Sequence, residues 1–169
     1  RRAFGTDTVP GVYEDLEQAD LIVLVGSNLA WCHPVLHQRI AAAKAARPQM
    51  RVVNIDPRRT ATSDLADVHL QIRPDGDVAL FNGLLAHLAD TGALDLGYIH
   101  DHVNGCLDAV ATARATSPRD SGLEAEALQA FYDLWAGTQK VVTVYSQGVN
   151  QSTSGTDKVN AIINCHLAT

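Results

Sequence analysis

An unbroken run of five apolar residues, Leu21–Val25, constrains the fold more than any other feature, and it stops abruptly at Gly26, Ser27 and Asn28. Such a run is typical of a strand buried on both faces of a parallel sheet, although the pattern alone does not separate it from a buried helix. Gly, Ser and Asn favour turns, and a helical pattern follows Pro34. The stretch therefore predicts a strand, a tight turn and a helix.

The turn after this strand is a candidate binding loop. In open α/β sheets, ligands bind at the carboxyl ends of the strands. Gly26 lets a ligand approach the backbone, Ser27 and Asn28 add short polar groups, and the start of a helix offers free N–H groups to an anion. We interpret residues 26–28 as a nucleotide or phosphate loop. The alternative is a turn that carries Gly and Ser without any ligand.

The pattern of strand, polar loop and helix repeats along the chain. Further strands are predicted at 51–56, 68–72 and 140–145, and helices at 34–47, 78–90, 95–103, 106–116, 124–136 and 158–167. Strands that alternate with helices are typical of a parallel sheet between helical layers. The sequence therefore predicts an α/β fold, a three-layer α/β/α arrangement with a mostly parallel, Rossmann-like sheet. We expect a single domain over residues 1–169, since one domain suits this length.

A second candidate loop ends the next strand. Asp56 lies 30 residues after Gly26, and an acidic residue at this place in dinucleotide-binding folds commonly bonds ribose hydroxyls. Arg58 and Arg59 can neutralise phosphate or stack on a base. The alternative is that Asp56 caps a turn with Pro57 and that the arginines form a solvated pair.

Two more polar loops follow later strands. Residues 73–77, Arg-Pro-Asp-Gly-Asp, predict a turn, and Asp77 is predicted to cap the helix 78–90. Residues 146–155 contain two Gln, one Asn, four Ser or Thr and two Gly. Uncharged donors and acceptors suit a polar heterocycle, and the alternative is an ordinary solvated loop. We expect all four loops to lie side by side at the carboxyl edge of one sheet.

Composition and motifs exclude several classes of protein. A net charge of −6 argues against a nucleic-acid-binding face, and no apolar run approaches the ~18 residues of a membrane span. The Gly-x-Gly-x-x-Gly, phosphate-loop and Gly-x-Ser-x-Gly motifs are missing, which disfavours an ordinary NAD-binding, ATP-hydrolysing or serine-hydrolase domain. His33 and His37 share a helix face, but spacing places no third metal ligand near them.

Several blocks of the chain occur in the same order in one enzyme family. They are residues 13–20, 25–34, 54–58, 73–77, 147–151 and 164–169. In these blocks the chain resembles the molybdopterin-dependent oxidoreductases of the dimethyl-sulfoxide-reductase superfamily, most closely the large catalytic subunit of bacterial assimilatory nitrate reductases. The resemblance covers nearly the whole chain, which would be an internal fragment of such a subunit.

The resemblance implies a site for the bis-(molybdopterin guanine dinucleotide) molybdenum cofactor. It implies that the loop after the first strand holds diphosphate or pterin through backbone N–H groups, that Asp56 bonds ribose, and that Asp77 accepts from guanine N1–H and its amino group. Two glutamines would bond pterin edges. The implied contacts are Val25, Gly26, Ser27, Asn28, Leu29, Asn54, Ile55, Asp56, Arg58, Asp75, Gly76, Asp77, Gln147 and Gln151.

The resemblance also implies a reaction and its setting. The whole enzyme would reduce nitrate to nitrite in the cytoplasm by a two-electron oxygen-atom transfer, with an electron-donor protein or domain. An iron–sulfur cluster and a molybdenum-ligating cysteine are expected upstream of Phe4. None of Cys32, Cys106 and Cys165 matches the metal-ligand motif, so we assign no catalytic or metal-ligating residue here and expect the fragment to be inactive alone. The alternatives are a fragment of a formate dehydrogenase-type molybdoenzyme and a non-catalytic nucleotide-binding domain.

Overall fold

The structure is a computed structural model that describes residues 3–6 and 8–169. The chain forms two compact units. The first unit comprises Arg1–Gln71 and Thr138–Ser152, and the second comprises Ile72–Gly137 and Thr153–Thr169. The expectation of one domain over residues 1–169 stays a prediction.

Four strands and nine α-helices occur in the described part of the chain. The strands are β1 (Leu21–Val25), β2 (Arg51–Ile55), β3 (Val68–Leu70) and β4 (Val141–Tyr145). The helices are α1 (Tyr13–Gln18), α2 (Leu29–Cys32), α3 (Pro34–Ala46), α4 (Asp77–Asp90), α5 (Leu96–His102), α6 (Cys106–Arg114), α7 (Ala125–Ala136), α8 (Gln147–Asn150) and α9 (Gly155–Ala168). Two short 3₁₀ helices span Ala61–Leu65 and Pro118–Ser121.

The sheet of the first unit is parallel, with the strand order β3-β2-β1-β4. Val25 is in register with Ile55 on one side and with Tyr145 on the other. The carboxyl ends of β1, β2 and β4 are therefore level with one another, and the loops that follow them share one edge of the sheet. The predicted α/β class with a mostly parallel sheet is confirmed.

The apolar run of β1 is buried on both of its faces. Ile22 and Leu24 belong to a core cluster with side chains of α1 and α3, and the alternate residues of β1 are also fully buried. Each such side chain contributes roughly 1.5–3 kcal/mol by leaving water. Arg39 of α3 bonds Glu17 of α1 at 2.6 Å, which fixes these two helices to each other. Burial of both faces is what a three-layer α/β/α arrangement requires of a central strand.

The second unit is helical, and α4 is its centre. Phe81 of α4 meets Phe131 and Trp135 of α7 edge to face, with ring centroids 6.4 Å apart in both pairs. A Cβ on Gly83 would lie 2.3 Å from the Tyr132 hydroxyl, which donates to the Leu80 carbonyl at 3.0 Å. The glycine inside α4 is therefore explained by the close approach of α7.

Three local predictions differ from the structure. The helix α2 was not predicted, and residues 146–155 are not one loop, because α8 lies within them and α9 begins at Gly155. Four-residue helices owe their stability to tertiary contacts, which periodicity does not report. The prediction that Asp77 caps α4 is wrong, since Gly76 is the N-cap and Asp77 is the first helical residue. The carboxylate of Asp77 instead contacts a lysine on α9.

No helix formed by residues 3–6 and 8–169 combines the length and the apolar character needed to cross a bilayer.

Candidate functional site

The predicted site residues fall into two groups, one in each unit. The first group, here called the edge loops, consists of residues 26–28, 56–58 and 146–151 at the carboxyl ends of β1, β2 and β4. The second group, here called the lysine–aspartate cluster, consists of Asp75, Gly76, Asp77 and Lys158 in the second unit.

Two glycines bring the first and third edge loops into backbone contact. Gly26 has a φ of +52°, and its carbonyl accepts from the Gly148 N–H at 3.0 Å. A Cβ on Gly148 would lie 2.7 Å from the Gly26 oxygen, and a Cβ on Gly26 would lie 3.0 Å from the Gly148 Cα. Only two residues without side chains allow this approach. Sequence reasoning missed Gly148, because nothing local signals a contact with a glycine so distant in the chain.

The hydroxyl of Ser27 is the most informative atom of the edge loops. Ser27 is 1% exposed, and its Oγ is buried without a hydrogen-bond partner among the described residues. Leaving such a group unpaired costs about 1–3 kcal/mol. The Gly26 N–H already donates to the Ile55 carbonyl at 2.9 Å. The anion-binding role predicted for this loop therefore rests on Ser27 and Asn28 instead of Gly26.

A buried threonine holds Asn28 in place. The Thr62 hydroxyl donates to Asn28 Oδ1 at 3.3 Å and accepts from the Ala30 N–H at 3.0 Å. Thr62 is fully buried in the 3₁₀ helix Ala61–Leu65, which Thr60 caps. The sequence of residues 60–67 is polar and small and predicts only a loop or one helical turn. The Thr60-x-x-Ser63 capping pattern was the signal that could have located this support.

Several predicted contact residues have side chains inside the unit. Asn54 is fully buried, donates from Nδ2 to the Leu24 carbonyl at 3.4 Å and accepts from Ser63 Oγ at 2.7 Å. Three more of the predicted contact residues are also buried, each at most 1% exposed: Val25, Leu29 and Ile55. These residues position the loops, and they reach the edge of the sheet only through their backbone.

Asp56 makes the turn that was the alternative interpretation of this loop. Its Oδ1 accepts from the Arg58 N–H at 2.8 Å, which is an Asx turn. Asp56 is 6% exposed, and its second carboxylate oxygen bonds to none of the residues that the structure describes. The Arg58 side chain is exposed. One carboxylate oxygen thus shapes the loop, and the other remains able to accept a hydrogen bond.

The predicted glutamines lie on α8 and directly after it. Gln147 begins the helix, the Gln151 N–H donates to the Gln147 carbonyl at 3.2 Å, and both side chains are exposed. Because α8 directly follows β4, these amides lie at the same edge of the sheet as Gly26 and Asp56.

The lysine–aspartate cluster centres on a buried ammonium group. Lys158 Nζ lies 2.7 Å from Asp75 Oδ1 and 3.2 Å from Asp77 Oδ2. Lys158 is 2% exposed and Asp77 is 7% exposed, whereas the Asp75 side chain is open to solvent. A buried charge is tolerated in a protein when it is paired in this way.

The turn that carries the two aspartates has little freedom. Asp75 has a φ of +65°, which is uncommon for a residue with a side chain. A Cβ on Gly76 would lie 2.8 Å from the Ser121 carbonyl, and the Arg73 N–H donates to that same carbonyl at 2.8 Å. The turn is thereby fixed against the 3₁₀ helix Pro118–Ser121.

The charges of the cluster stabilise one another. The hydrogen bond from Lys158 is the main cause that holds the pKa of Asp75 below its ordinary value. Burial lowers the pKa of Lys158, but its hydrogen bonds to Asp75 and Asp77 outweigh burial and raise that pKa above its ordinary value. Sequence reasoning gave Lys158 no role. The signal was its place on the buried face of α9, which it shares with Ala161 and Ile162.

The cysteines and histidines form no comparable group. Among residues 3–6 and 8–169, no cluster of three or more His, Cys, Asp or Glu side chains has a geometry that could hold a metal ion. Cys32 is exposed, whereas Cys165 is buried, bonds the Phe81 carbonyl at 3.2 Å and has a pKa raised by burial.

Each of the two groups has chemistry that suits a polar ligand. The edge loops combine a buried hydroxyl, two exposed amides and a carboxylate oxygen, which suit phosphate, ribose and the polar edge of a heterocycle. The lysine–aspartate cluster presents a largely buried carboxylate, which in its ionised form only accepts hydrogen bonds.

Several characterised proteins are similar to this chain. The nitrate reductase of Shewanella frigidimarina is 52% identical over 99% of this chain and 18% of its own length, and that of Klebsiella oxytoca is 49% identical over 99% and 19%. The assimilatory nitrate reductase of Haloferax mediterranei is 34% identical over 99% and 23%. The chain thus spans about a fifth of the length of these relatives.

A solved structure has the same fold. Acetylene hydratase from Pelobacter acetylenicus matches 92% of this chain and 23% of its own with a TM-score of 0.74 and 16% identity. The sequence profile described as molybdopterin oxidoreductase matches residues 3–169. Because this match extends over nearly the whole sequence, the chain belongs to the molybdopterin oxidoreductase family.

Proposed function

We propose that this chain is the cofactor-binding part of a molybdenum-dependent nitrate reductase that converts nitrate to nitrite. The observation that carries the proposal is the identity of 34–52% to proteins named nitrate reductase, which extends over 98–99% of the chain. When bound, the molybdenum–pterin cofactor supplies the two-electron oxygen-atom transfer. The residues of this chain bind the cofactor and orient it.

The edge loops fit the phosphate, ribose and pterin parts of the bis-(molybdopterin guanine dinucleotide) cofactor. The buried Ser27 hydroxyl, which has no hydrogen-bond partner in the described part of the chain, donates to a phosphate or pterin oxygen of the bound cofactor. The free oxygen of Asp56 accepts from a ribose hydroxyl, and the exposed amides of Gln147 and Gln151 bond pterin edges. The inward side chains, including Asn54, maintain the loop shapes.

Asp77 fits the guanine part of the cofactor. An ionised carboxylate accepts only, so its two oxygens can take the N1–H and the amino group of guanine together. Lys158 contacts Oδ2 of Asp77, and Oδ1 of Asp77 has no partner among the described residues. Asp75 and Gly76 hold the turn that presents this carboxylate.

We place the whole protein in the cytoplasm, in nitrate assimilation. One relative carries the name assimilatory nitrate reductase, which supports the pathway. An iron–sulfur cluster in another part of the polypeptide and an electron-donor protein or domain complete the proposal, since nitrate reduction consumes two electrons per turnover.

The test is an assay of the full-length protein with a reduced dye as electron donor. We expect nitrate to be reduced to nitrite, molybdenum to be bound, and guanine nucleotide to be released when the protein is denatured. Formate oxidation without nitrate reduction would favour the formate dehydrogenase alternative. Protein that binds guanine nucleotide but no molybdenum would favour a non-catalytic nucleotide-binding domain.

A further inference from the structure

We propose that Lys158 is a positioning residue that orients the carboxylate of Asp77, so that the site selects guanine over adenine. This inference rests on the proposed function, because it concerns the same cofactor. It assigns a task to a lysine that is buried at the start of α9 and joined to the turn before α4.

Lys158 has two carboxylate partners, Asp75 and Asp77. Its Nζ lies 2.7 Å from Asp75 Oδ1 and 3.2 Å from Asp77 Oδ2, and only 3% of its side chain is exposed. The contact with Oδ2 restricts the orientations that the Asp77 carboxylate can adopt. Asp77 is also the first residue of α4, where the helix dipole favours a negative charge.

The chemistry of the purines explains the selection. Guanine presents two adjacent N–H donors on one edge, and an ionised carboxylate accepts both of them. Adenine presents one donor beside the lone pair of N1, which an ionised carboxylate repels. The placement of the two carboxylate oxygens of Asp77 against this edge of the base therefore decides which base is accepted.

Lys158 is the group that can hold this carboxylate in place. A buried charge is tolerated when an opposite charge pairs with it, and Lys158 Nζ lies 3.2 Å from Asp77 Oδ2. Arg73 interacts electrostatically with Asp75, and Asp157 on α9 and Arg119 and Asp120 on the neighbouring 3₁₀ helix are exposed.

The remaining charged partners of α4 lie at its other end. Asp133 of α7 contacts His87 at 3.3 Å, and Arg114 of α6 contacts Asp90 at 2.5 Å. Of the cations in the described part of the chain, Lys158 is therefore the one that contacts Asp77.

The experiment measures nucleotide binding by calorimetry on the full-length protein prepared without its cofactor. GDP and ADP serve as probes at one neutral pH. In the Lys158→Met variant we expect GDP affinity to fall by about tenfold to a hundredfold, which is the size of effect expected when a charge-assisted hydrogen-bond arrangement is lost. ADP affinity should change little, so the ratio of GDP affinity to ADP affinity should fall.

Two further variants separate positioning from folding. Lys140→Met makes the same change at an exposed lysine and should leave both affinities unchanged. Lys158→Gln keeps hydrogen-bond donors to both aspartates and serves if the methionine variant does not fold. It should show the same loss of preference for GDP in a smaller degree, and Lys158→Arg should restore the preference.

Equal losses of GDP and ADP affinity in the Lys158 variants would overturn the inference and make Lys158 merely structural. Other outcomes of the experiments distinguish a failure of the proposed function from a failure of this inference. If the wild-type protein reduces nitrate but binds GDP and ADP equally, only the inference is wrong. If it neither binds molybdenum nor reduces nitrate, the proposed function is wrong, and the GDP preference still tests the role of Lys158.

Discussion

The two units solve the same problem of fixing a loop by different means. In the first unit the edge loops are held by backbone contact between two glycines and by neutral side chains such as Thr62 and Asn54. In the second unit the turn before α4 is held by a buried lysine between two carboxylates. Shape controls the first region and charge controls the second. We therefore expect the first to respond mainly to changes of volume and the second mainly to changes of charge.

The largest expected effect is that of a methyl group on Gly26. The change combines left-handed backbone strain of about 1–2 kcal/mol with a clash against Gly148 that costs about 1–3 kcal/mol. We expect Gly26→Ala to lower the free energy of unfolding by about 2–5 kcal/mol, measured by urea denaturation. Gly92 has a φ of +74°, but a Cβ added there would meet no atom within 4 Å, so Gly92→Ala reports the strain alone. Equal losses in the two variants would show that the glycine contact contributes nothing.

We expect the next largest loss of stability when the Thr62 hydroxyl is removed. Thr62→Val keeps the shape but leaves the Ala30 N–H and Asn28 Oδ1 without their partner. We expect a loss of about 1–3 kcal/mol in the free energy of unfolding. Thr112→Val removes a hydroxyl on an exposed helix surface and should cost less than about 0.5 kcal/mol. A loss at Thr62 no larger than that at Thr112 would contradict the support assigned to this residue.

Ser27→Ala should give effects of opposite sign on stability and on binding. Because the Ser27 hydroxyl has no partner among the described residues, its removal should leave the cofactor-free protein as stable or more stable by up to about 1 kcal/mol. The same variant of the full-length protein should retain less molybdenum. Thermal denaturation and metal analysis measure the two quantities. Destabilisation without any loss of molybdenum would show that the hydroxyl serves the fold.

The smallest expected effect is a loss of stability of the first unit at acid pH. Burial raises the pKa of Asp67, but the hydrogen bonds from Lys44 and the Val52 N–H, with the nearby positive charges, lower it below the ordinary value of 3.8. The stability from Asp67 is therefore present above about pH 4 and is lost as the pH falls through the lower folded pKa. We expect Asp67→Asn to cost about 1 kcal/mol at neutral pH and nothing at strongly acid pH. Asp64→Asn alters a solvent-exposed pair with Arg59 and is the control.

The sequence was sufficient to predict the features that depend on neighbouring residues. The apolar run of β1 and the polar residues after β1, β2 and β4 predicted the parallel sheet and the place of the edge loops. These features depend on burial and turn chemistry, which neighbouring residues reveal. The parallel register then brings the loops together without any further information.

The sequence was insufficient where a contact joins distant residues. Lys158 bonds Asp75 across 83 positions, and three strands lie between Gly26 and Gly148 in the sequence. Such partners depend on packing that no local window contains. Asn54 was among the contacts that the resemblance implies, and its side chain bonds Leu24 and Ser63 inside the unit. Polar residues at strand ends can support a site as readily as they can face it.

The guanine and molybdenum content of the full-length Asp77→Asn variant tests the central claim most directly. The substitution keeps the size of the side chain and removes the charge that Lys158 neutralises. We predict that the purified variant releases markedly less guanine nucleotide and holds markedly less molybdenum than the wild type, with its folded state intact by circular dichroism. Wild-type amounts of both in the variant would contradict the assignment of this chain's charged turn to the cofactor.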